Sequence, residues 1–232
     1  MYSILEHYLS TNHILMIGMI VTFILTFFLL EHPFSFLPSD QGRAFAVNGS
    51  LSKGKLRGVG FIFVLCFLIS SVLFLPLDVE YVIYGILLFA MMISGYLDDA
   101  SKTPWNEYKK GLIDLVISVV AVLTYMNFNS TTICFGADEI VIPKALFLIL
   151  GVILIWVSVN VTNCTDGVDG LCASLCSVTL LAFGVLFAPI LQKYAMANFL
   201  FLSVLFAYLY FNSSPSSMLM GDAGSRALGF YI

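Results

Sequence analysis

The chain has 232 residues, 60% of them hydrophobic and 10% charged, and its 14 acidic and 10 basic side chains leave a net charge of −4. Soluble domains carry about 25% charged residues, so an ordinary globular fold is excluded. The small negative balance also excludes a nucleic-acid binder, and the hydrophobicity excludes a disordered chain.

The charges are spaced unevenly. Residues 7–30, 58–77, 81–97, 115–137, 145–165, 170–192 and 194–221 contain no Asp, Glu, Lys or Arg. A hydrocarbon core is crossed by about 20 apolar residues in a helix, and helices alone suit runs of this length, because each backbone polar group then finds its partner within the segment. The sequence therefore predicts an all-α, polytopic membrane bundle forming a single transmembrane domain over 1–232. Spans are expected near 13–31, 59–77, 81–97, 112–128, 144–162, 171–191 and 195–211, with an eighth opening near Ala223. The first run, Ile14–Leu30, follows Glu6 and His7 rather than a basic segment and has no small-residue cleavage site, so it is read as a retained helix, not a signal peptide.

Connections alternate between the two sides. Those after spans 1, 3, 5 and 7 hold Arg43, Lys53, Lys55, Arg57, Lys102, Lys109, Lys110 and Arg226, whereas the others hold only Lys144 and Lys193. This asymmetry predicts that the odd-numbered loops are cytoplasmic and the N-terminus outside. The cysteines (Cys66, Cys134, Cys164, Cys172 and Cys176) are odd in number, lie in or beside apolar runs and form no CxxC, which fits packing rather than a disulfide frame or zinc site.

Four polar constellations fall on the side predicted to be cytoplasmic. Asp98-Asp99-Ala-Ser-Lys102 closes span 3; on a continuing helix Lys102 would lie three and four residues from the two carboxylates, an arrangement that an ordinary solvated helix end also produces. Asn160-Val-Thr-Asn163-Cys-Thr165-Asp166-Gly-Val-Asp169-Gly170 joins spans 5 and 6. It packs two carboxylates and two carboxamides into a short junction without a basic residue, more than capping needs, and Gly167 and Gly170 would let a ligand approach the backbone. Asn212-Ser-Ser-Pro215 and Met220-Gly221-Asp222-Ala-Gly224-Ser225 precede the eighth span. There a helix N-terminus could hold a phosphate, or Asp222 could simply cap the helix. The fourth is the loop from Leu37 to Gly58, whose basic residues suit either topology and lipid headgroups or a phosphate-bearing substrate. Carboxylates gathered beside basic residues fit Mg²⁺-assisted phosphoryl transfer. A transporter's ion pathway would need acids near the bilayer midplane, where these spans have none.

GYLDDASK, NVTNCTDGVDGL, FNSSPSSMLMGDAGSRALG and LPSDQGRAFAVNGSLSKGKLRGVG together resemble successive motifs of the polyprenyl-phosphate N-acetylhexosamine-1-phosphate transferase superfamily. Thr165 before Asp166 is similar to the branch that transfers phospho-N-acetylmuramoyl-pentapeptide rather than phospho-N-acetylglucosamine. The resemblance implies a ten-helix enzyme of the bacterial plasma membrane, usually a homodimer, working from a cytoplasmic cleft. It implies transfer of the phospho-sugar of UDP-MurNAc-pentapeptide to undecaprenyl phosphate with Mg²⁺, forming lipid I and UMP in peptidoglycan synthesis. UDP-N-acetylglucosamine transfer is the rival within the superfamily, and an inactive fragment a further one. By motif, Asp98 and Asp99 match the DDxxK pair, with Asp98 as candidate base and Lys102 as the lysine. Asn163, Asp166 and Asp169 match the nucleotide-binding and catalytic segment, Asp222 the Mg²⁺ ligand and Asn212 a nucleotide contact. A basic residue of the first loop, Lys53 or else Lys55, would meet the nucleotide. The superfamily's later histidine cluster has no counterpart among His7, His13 and His32, and the eighth apolar run breaks off at Ile232, so the chain is expected to be incomplete at its C-terminus.

Overall fold

The structure, a computed structural model, describes residues 1–32, 34–40, 42, 52–135 and 138–232. Gln41 and residues 43–51 of the first loop's motif, Arg43 among them, lie outside the described residues. A four-residue helix α1 (Tyr2–Leu5) precedes α2 (Thr11–Glu31), α3 (Gly60–Phe74), α4 (Val79–Asp99) and α5 (Glu107–Phe128). A two-stranded antiparallel hairpin, β1 (Thr132–Phe135) and β2 (Asp138–Val141), pairs Thr132 with Val141 and Ile133 with Ile140. It is followed by α6 (Lys144–Thr165), α7 (Leu171–Phe187), α8 (Gln192–Asn212) and α9 (Gly221–Tyr231).

Helices α2, α4, α5, α6 and α8 are each long and apolar enough to cross a membrane, while α3 and α7 are shorter apolar helices. The helices sit where the charge-free stretches place them, with shifted ends. Helix α3 stops at Phe74 instead of 77 because Leu75 is extended (ψ 149°) ahead of Pro76, as a residue preceding proline prefers. Helix α5 starts at Glu107, five residues before the expected 112, because the Asn106 side chain accepts the Tyr108 N–H and starts the helix there. Asp78 caps α4 in the same way through Tyr81 N and also pairs with Lys193 of α8.

The bundle has an apolar exterior around an apolar core. Helix α8 is its centre, with Phe201 stacked on Phe67 of α3 at 4.2 Å and Tyr208 against Phe63 at 5.1 Å. By contrast α6 and α7 turn Ile153, Leu154, Val178 and Val185 outward, an apolar exterior suited to lipid. Several hydroxyls inside the helices bond back to the preceding turn, as Thr26 does to Thr22 O and Ser177 to Ala173 O, so these cost little where water is absent. Cys66, Cys172 and Cys176 are buried thiols, as packing requires, and Cys164 is exposed.

Helix α9 is sheathed by α3, α4 and α6, and every residue from Gly221 to Gly229 is buried. Its approach depends on glycine. A Cβ on Gly60 would lie 2.1 Å from Gly224 N, and one on Gly95 would lie 2.3 Å from the Asp222 carbonyl oxygen. Small residues that let backbones approach are the usual packing device between helices in lipid, where apolar burial supplies no driving force.

Candidate active site

The loops after α2, α4, α6 and α8 meet at one end of the bundle. The 55–57 segment joins them. Leu56 bridges Ser39 on one side and Met218 on the other, and Leu219 N donates to Leu56 O at 2.8 Å. Side chains two apart on an extended segment project to the same face. Lys55 accordingly donates to Ser216 Oγ at 2.9 Å and lies 3.9 Å from Asp169, while Arg57 enters a group of carboxylates next to it.

That group is the densest electrostatic feature among the described residues. Arg57 donates from Nε to Asp99 Oδ1 at 2.8 Å, and its Nη atoms reach Asp40 at 3.4 Å and Asp222 at 3.5 Å. Burial opposes the guanidinium's charge, but the carboxylates of Asp99, Asp222 and Asp40 hold its pKa above the ordinary value. Lys110 bridges Asp98 Oδ2 at 2.7 Å and Asp222 Oδ2 at 3.0 Å. Asp98 also accepts the Trp105 N–H at 2.6 Å, which folds the connector back towards α4.

The N-terminus of α9 is capped from another helix. The side chain of Asp99, with no exposed surface, accepts the Ala223 N–H at 3.0 Å. Gly221 ahead of it has φ +65° and lies against the same carboxylate, where a Cβ would be 2.4 Å from Oδ2. Asp222 does not cap its own helix: Asp99 takes the Ala223 N–H, and Asp222 faces Lys110 and Arg57.

The structure thus brings Asp98, Asp99 and Asp222 together. Helix α4 ends at Asp99, so the helical spacing expected for Lys102 does not form; Lys102 is exposed, and the cations beside the pair are Lys110 and Arg57. Asp166 and Asp169 are half-buried in the turn that follows α6 and do not share a helical face, because the helix ends at Thr165. Asp169 accepts the Ser216 N–H at 3.0 Å. Asn212, 2% exposed, accepts the Gly170 N–H and donates to Met218 O, both at 3.0 Å, and so clasps the start of α7 to the loop before α9. Gly170 has φ +75° and is the left-handed N-cap of α7. Asn163 lines a cavity of about 530 Å³ between α5, α6 and α9, together with Lys110, Asp114, Asn160 and Arg226. Lys53 is exposed on the first loop.

The residues missed from sequence are Arg57, Lys110, Asp40, Asp114 and Arg226 as members of one network. Arg57 was visible as one of the loop bases suited to lipid headgroups or a phosphate-bearing substrate and Lys110 as a loop charge, but the partners of neither were visible. Asp114 and Arg226 form a buried pair at 2.5 Å, with 2% and 1% of their surfaces exposed. Their signal was polarity inside apolar runs.

Among the described residues no three acidic, histidine or thiol side chains close on one point as a preformed metal cage. Mg²⁺ seldom uses such a cage; it is held by one or two carboxylates and by phosphate oxygens. The donor set fits that mode, because four carboxylates (Asp40, Asp98, Asp99 and Asp222) face two cations (Arg57 and Lys110) and the excess charge is negative and oxygen-borne.

Residues 81–232 match the family model described as glycosyl transferase family 4, which covers all these residues except the first-loop ones. The chain is 35% identical over 238 residues to the phospho-N-acetylmuramoyl-pentapeptide-transferase of Treponema pallidum, spanning 93% of this chain and 66% of that protein. It is 27% identical over 227 residues to the enzyme of that name from Dictyoglomus turgidum, and 31% over 184 residues to that from Microcystis aeruginosa. The chain spans just under two thirds of the length of its Treponema relatives. With its helical membrane bundle and the family match over α4 to α9, the chain belongs to glycosyl transferase family 4.

Proposed function

We propose that this chain carries the active face of a Mg²⁺-dependent phospho-sugar transferase that moves phospho-MurNAc-pentapeptide from its UDP carrier to undecaprenyl phosphate, forming lipid I and releasing UMP. The carrying observation is the carboxylate group around Arg57 and Lys110, whose excess negative charge on oxygen suits a divalent ion and a pyrophosphate. The names of the relatives favour this donor.

Asp222, which faces Lys110 and Arg57, would hold the Mg²⁺. Bound there, the ion neutralises charge developing on the leaving UMP. Arg57 and Lys110 position the carboxylates, and each carries donors that a phosphate oxygen can share. Asp99 fixes the N-terminus of α9 and thereby the backbone that bears Asp222. A base has little to do, because a phosphate monoester is already largely ionised at pH 7. Asp98 serves mainly by orienting Lys110 in this scheme. Asn163, Asp166 and Asp169 are assigned to the nucleotide side, with Lys55 rather than Lys53 as the lysine beside Asp169. The excess of basic residues in the converging loops supports a cytoplasmic active face in the bacterial plasma membrane, in a homodimer as the family resemblance implies.

The test is UMP release by purified protein with undecaprenyl phosphate, Mg²⁺ and either UDP-MurNAc-pentapeptide or UDP-N-acetylglucosamine. Release with the first donor alone is expected. Release with the second alone moves the chain to the N-acetylglucosamine branch, and release with neither overturns the transferase reading.

A further inference from the structure

Two ion pairs cross from α5 to α9, and their polarity alternates. On α5 the order is Lys110 then Asp114; on α9 it is Asp222 then Arg226. Lys110 meets Asp222 at 3.0 Å, and Asp114 meets Arg226 at 2.5 Å. Residues four apart stack on one helix face, so these are two rungs one turn apart between helices that both begin at the active end. Sliding α9 by one turn along α5 would set Asp222 against Asp114, or Arg226 against Lys110. Either slip opposes like charges, and beside Arg226, 1% exposed, that repulsion is poorly screened. Repulsion in the wrong register is as much a part of specificity as attraction in the right one.

Against α3, α4 and α6 the helix is placed by close backbone approach, as at Gly60–Gly224 and at Gly95 against Asp222, and by the Ser158 Oγ–H bond to Gly229 O at 2.7 Å. Towards α5, the polar contacts among the described residues are the two ion pairs. On the α5 side, Arg226 lines the cavity together with Lys110 and Asp114. Its Nε and Nη1 have no partner among the described residues, so the cost of burying this guanidinium is met by Asp114 alone.

We infer that Asp114 and Arg226 are positioning residues whose alternating charge code fixes α9 against α5 and so holds Lys110 on Asp222. The inference rests on the proposed reaction for its purpose but not for its geometry. The test is therefore independent of turnover. A water-soluble carbodiimide joins an amine to an adjacent carboxylate as an amide with loss of a urea. Lys110 lies within reach of Asp98 on α4 and Asp222 on α9, so the ratio of the two cross-linked peptides, read by mass spectrometry on the intact detergent-solubilised protein, reports the register of α9.

Both links are expected in the unaltered protein. Arg226→Met should lower the Asp222:Asp98 ratio at least fivefold, and the neutral pair Asp114→Leu/Arg226→Met, which leaves no buried charge uncompensated, should do the same while remaining folded. Exchanging the pair, Asp114→Arg/Arg226→Asp, restores attraction in the native register but removes the repulsion in the slipped one. Its ratio should fall between those of the unaltered protein and Arg226→Met. An unchanged ratio in the neutral pair overturns the inference, as does equal loss of both links, which is the mark of a merely structural role. If the protein releases no UMP while the ratios behave as stated, the transferase reading fails and the register code stands.

Discussion

Arg57 Nε and Asp99 Oδ1, from the first loop and the end of α4, are joined at 2.8 Å, and through that bond a loop held by two backbone bridges is tied to the helix end that caps α9. The same guanidinium touches Asp40 and Asp222, so one side chain orders four segments of the chain.

Arg57→Gln should therefore cost activity more than its partial exposure suggests. Charge-assisted hydrogen bonds are worth about 1.5–3 kcal/mol each, and losing the Asp99 and Asp222 contacts should lower UMP release by about 100-fold, with tenfold per ~1.4 kcal/mol. Arg57→Lys keeps the charge but not the planar fork. An intermediate loss is expected; equal rates for Lys and Gln would show that geometry, not charge, is what Arg57 supplies.

The glycines around α9 yield a stability prediction. At Gly60 and Gly95 a methyl group would meet backbone at 2.1 and 2.3 Å, and backbone cannot swing aside. Gly85, on the same helix as Gly95, has only Leu68 Cδ2 at 3.8 Å. Gly60→Ala and Gly95→Ala should lower the thermal midpoint of the solubilised protein sharply or abolish folded yield. Gly85→Ala should leave it equal or slightly higher, since alanine is favoured over glycine in helices by roughly 0.5–1 kcal/mol. A large loss at Gly85 would mean that the effect is generic to helix glycines.

Much of this architecture was legible in the sequence because lipid imposes a rule on composition. Charge is excluded from helices that face it, so each gap between charges marked one of α2 to α8, although the gap over α5 begins eight residues late and runs on through β1, and the gap over α8 runs nine residues past its end. The grouping of Asp98, Asp99 and Asp222 was also legible, since motif order and alternating sides place them at one end. What was hidden depends on distance along the chain. Nothing local to Arg57 says that it pairs with a residue 165 positions later, and nothing local to Asp99 says that it caps α9 rather than sitting in a solvated helix end. Lys102 stood at the expected spacing, but the helix it needed stops at Asp99.

Asn212 shows how a motif residue can act through the fold. Its carboxamide satisfies the Gly170 N–H and the Met218 carbonyl in a buried position. Asn212→Ala leaves both groups without it, at about 1–3 kcal/mol each. A drop in thermal midpoint is expected, with a rise in KM for the UDP-sugar as the turn bearing Asp166 and Asp169 loosens. Asn212→Asp keeps the acceptor for Gly170 but loses the donor to Met218, so it should fall between the two. A variant with raised KM and unaltered stability would instead place the carboxamide directly on the nucleotide.

The ranking of two aspartates separates metal holding from base catalysis. Asp98 shares Lys110 with Asp222 through one carboxylate oxygen and receives the Trp105 N–H on the other; its asparagine counterpart keeps an oxygen for only one of these donors and sets an NH2 against the other, while Lys110 retains Asp222. Asp98→Asn is therefore expected to lower UMP release about tenfold. Asp222 pairs with both cations, and an amide in its place removes the charge that Arg57 and Lys110 share and the hard anionic oxygen that Mg²⁺ prefers. Losing an electrostatic stabiliser of this kind typically costs 10²–10³ in rate, so Asp222→Asn should fall at least 100-fold and bind Mn²⁺ more weakly by calorimetry. If Asp98→Asn proves the more damaging while Mn²⁺ affinity is unaltered in Asp222→Asn, Asp98 is the proton acceptor and the roles assigned here are reversed.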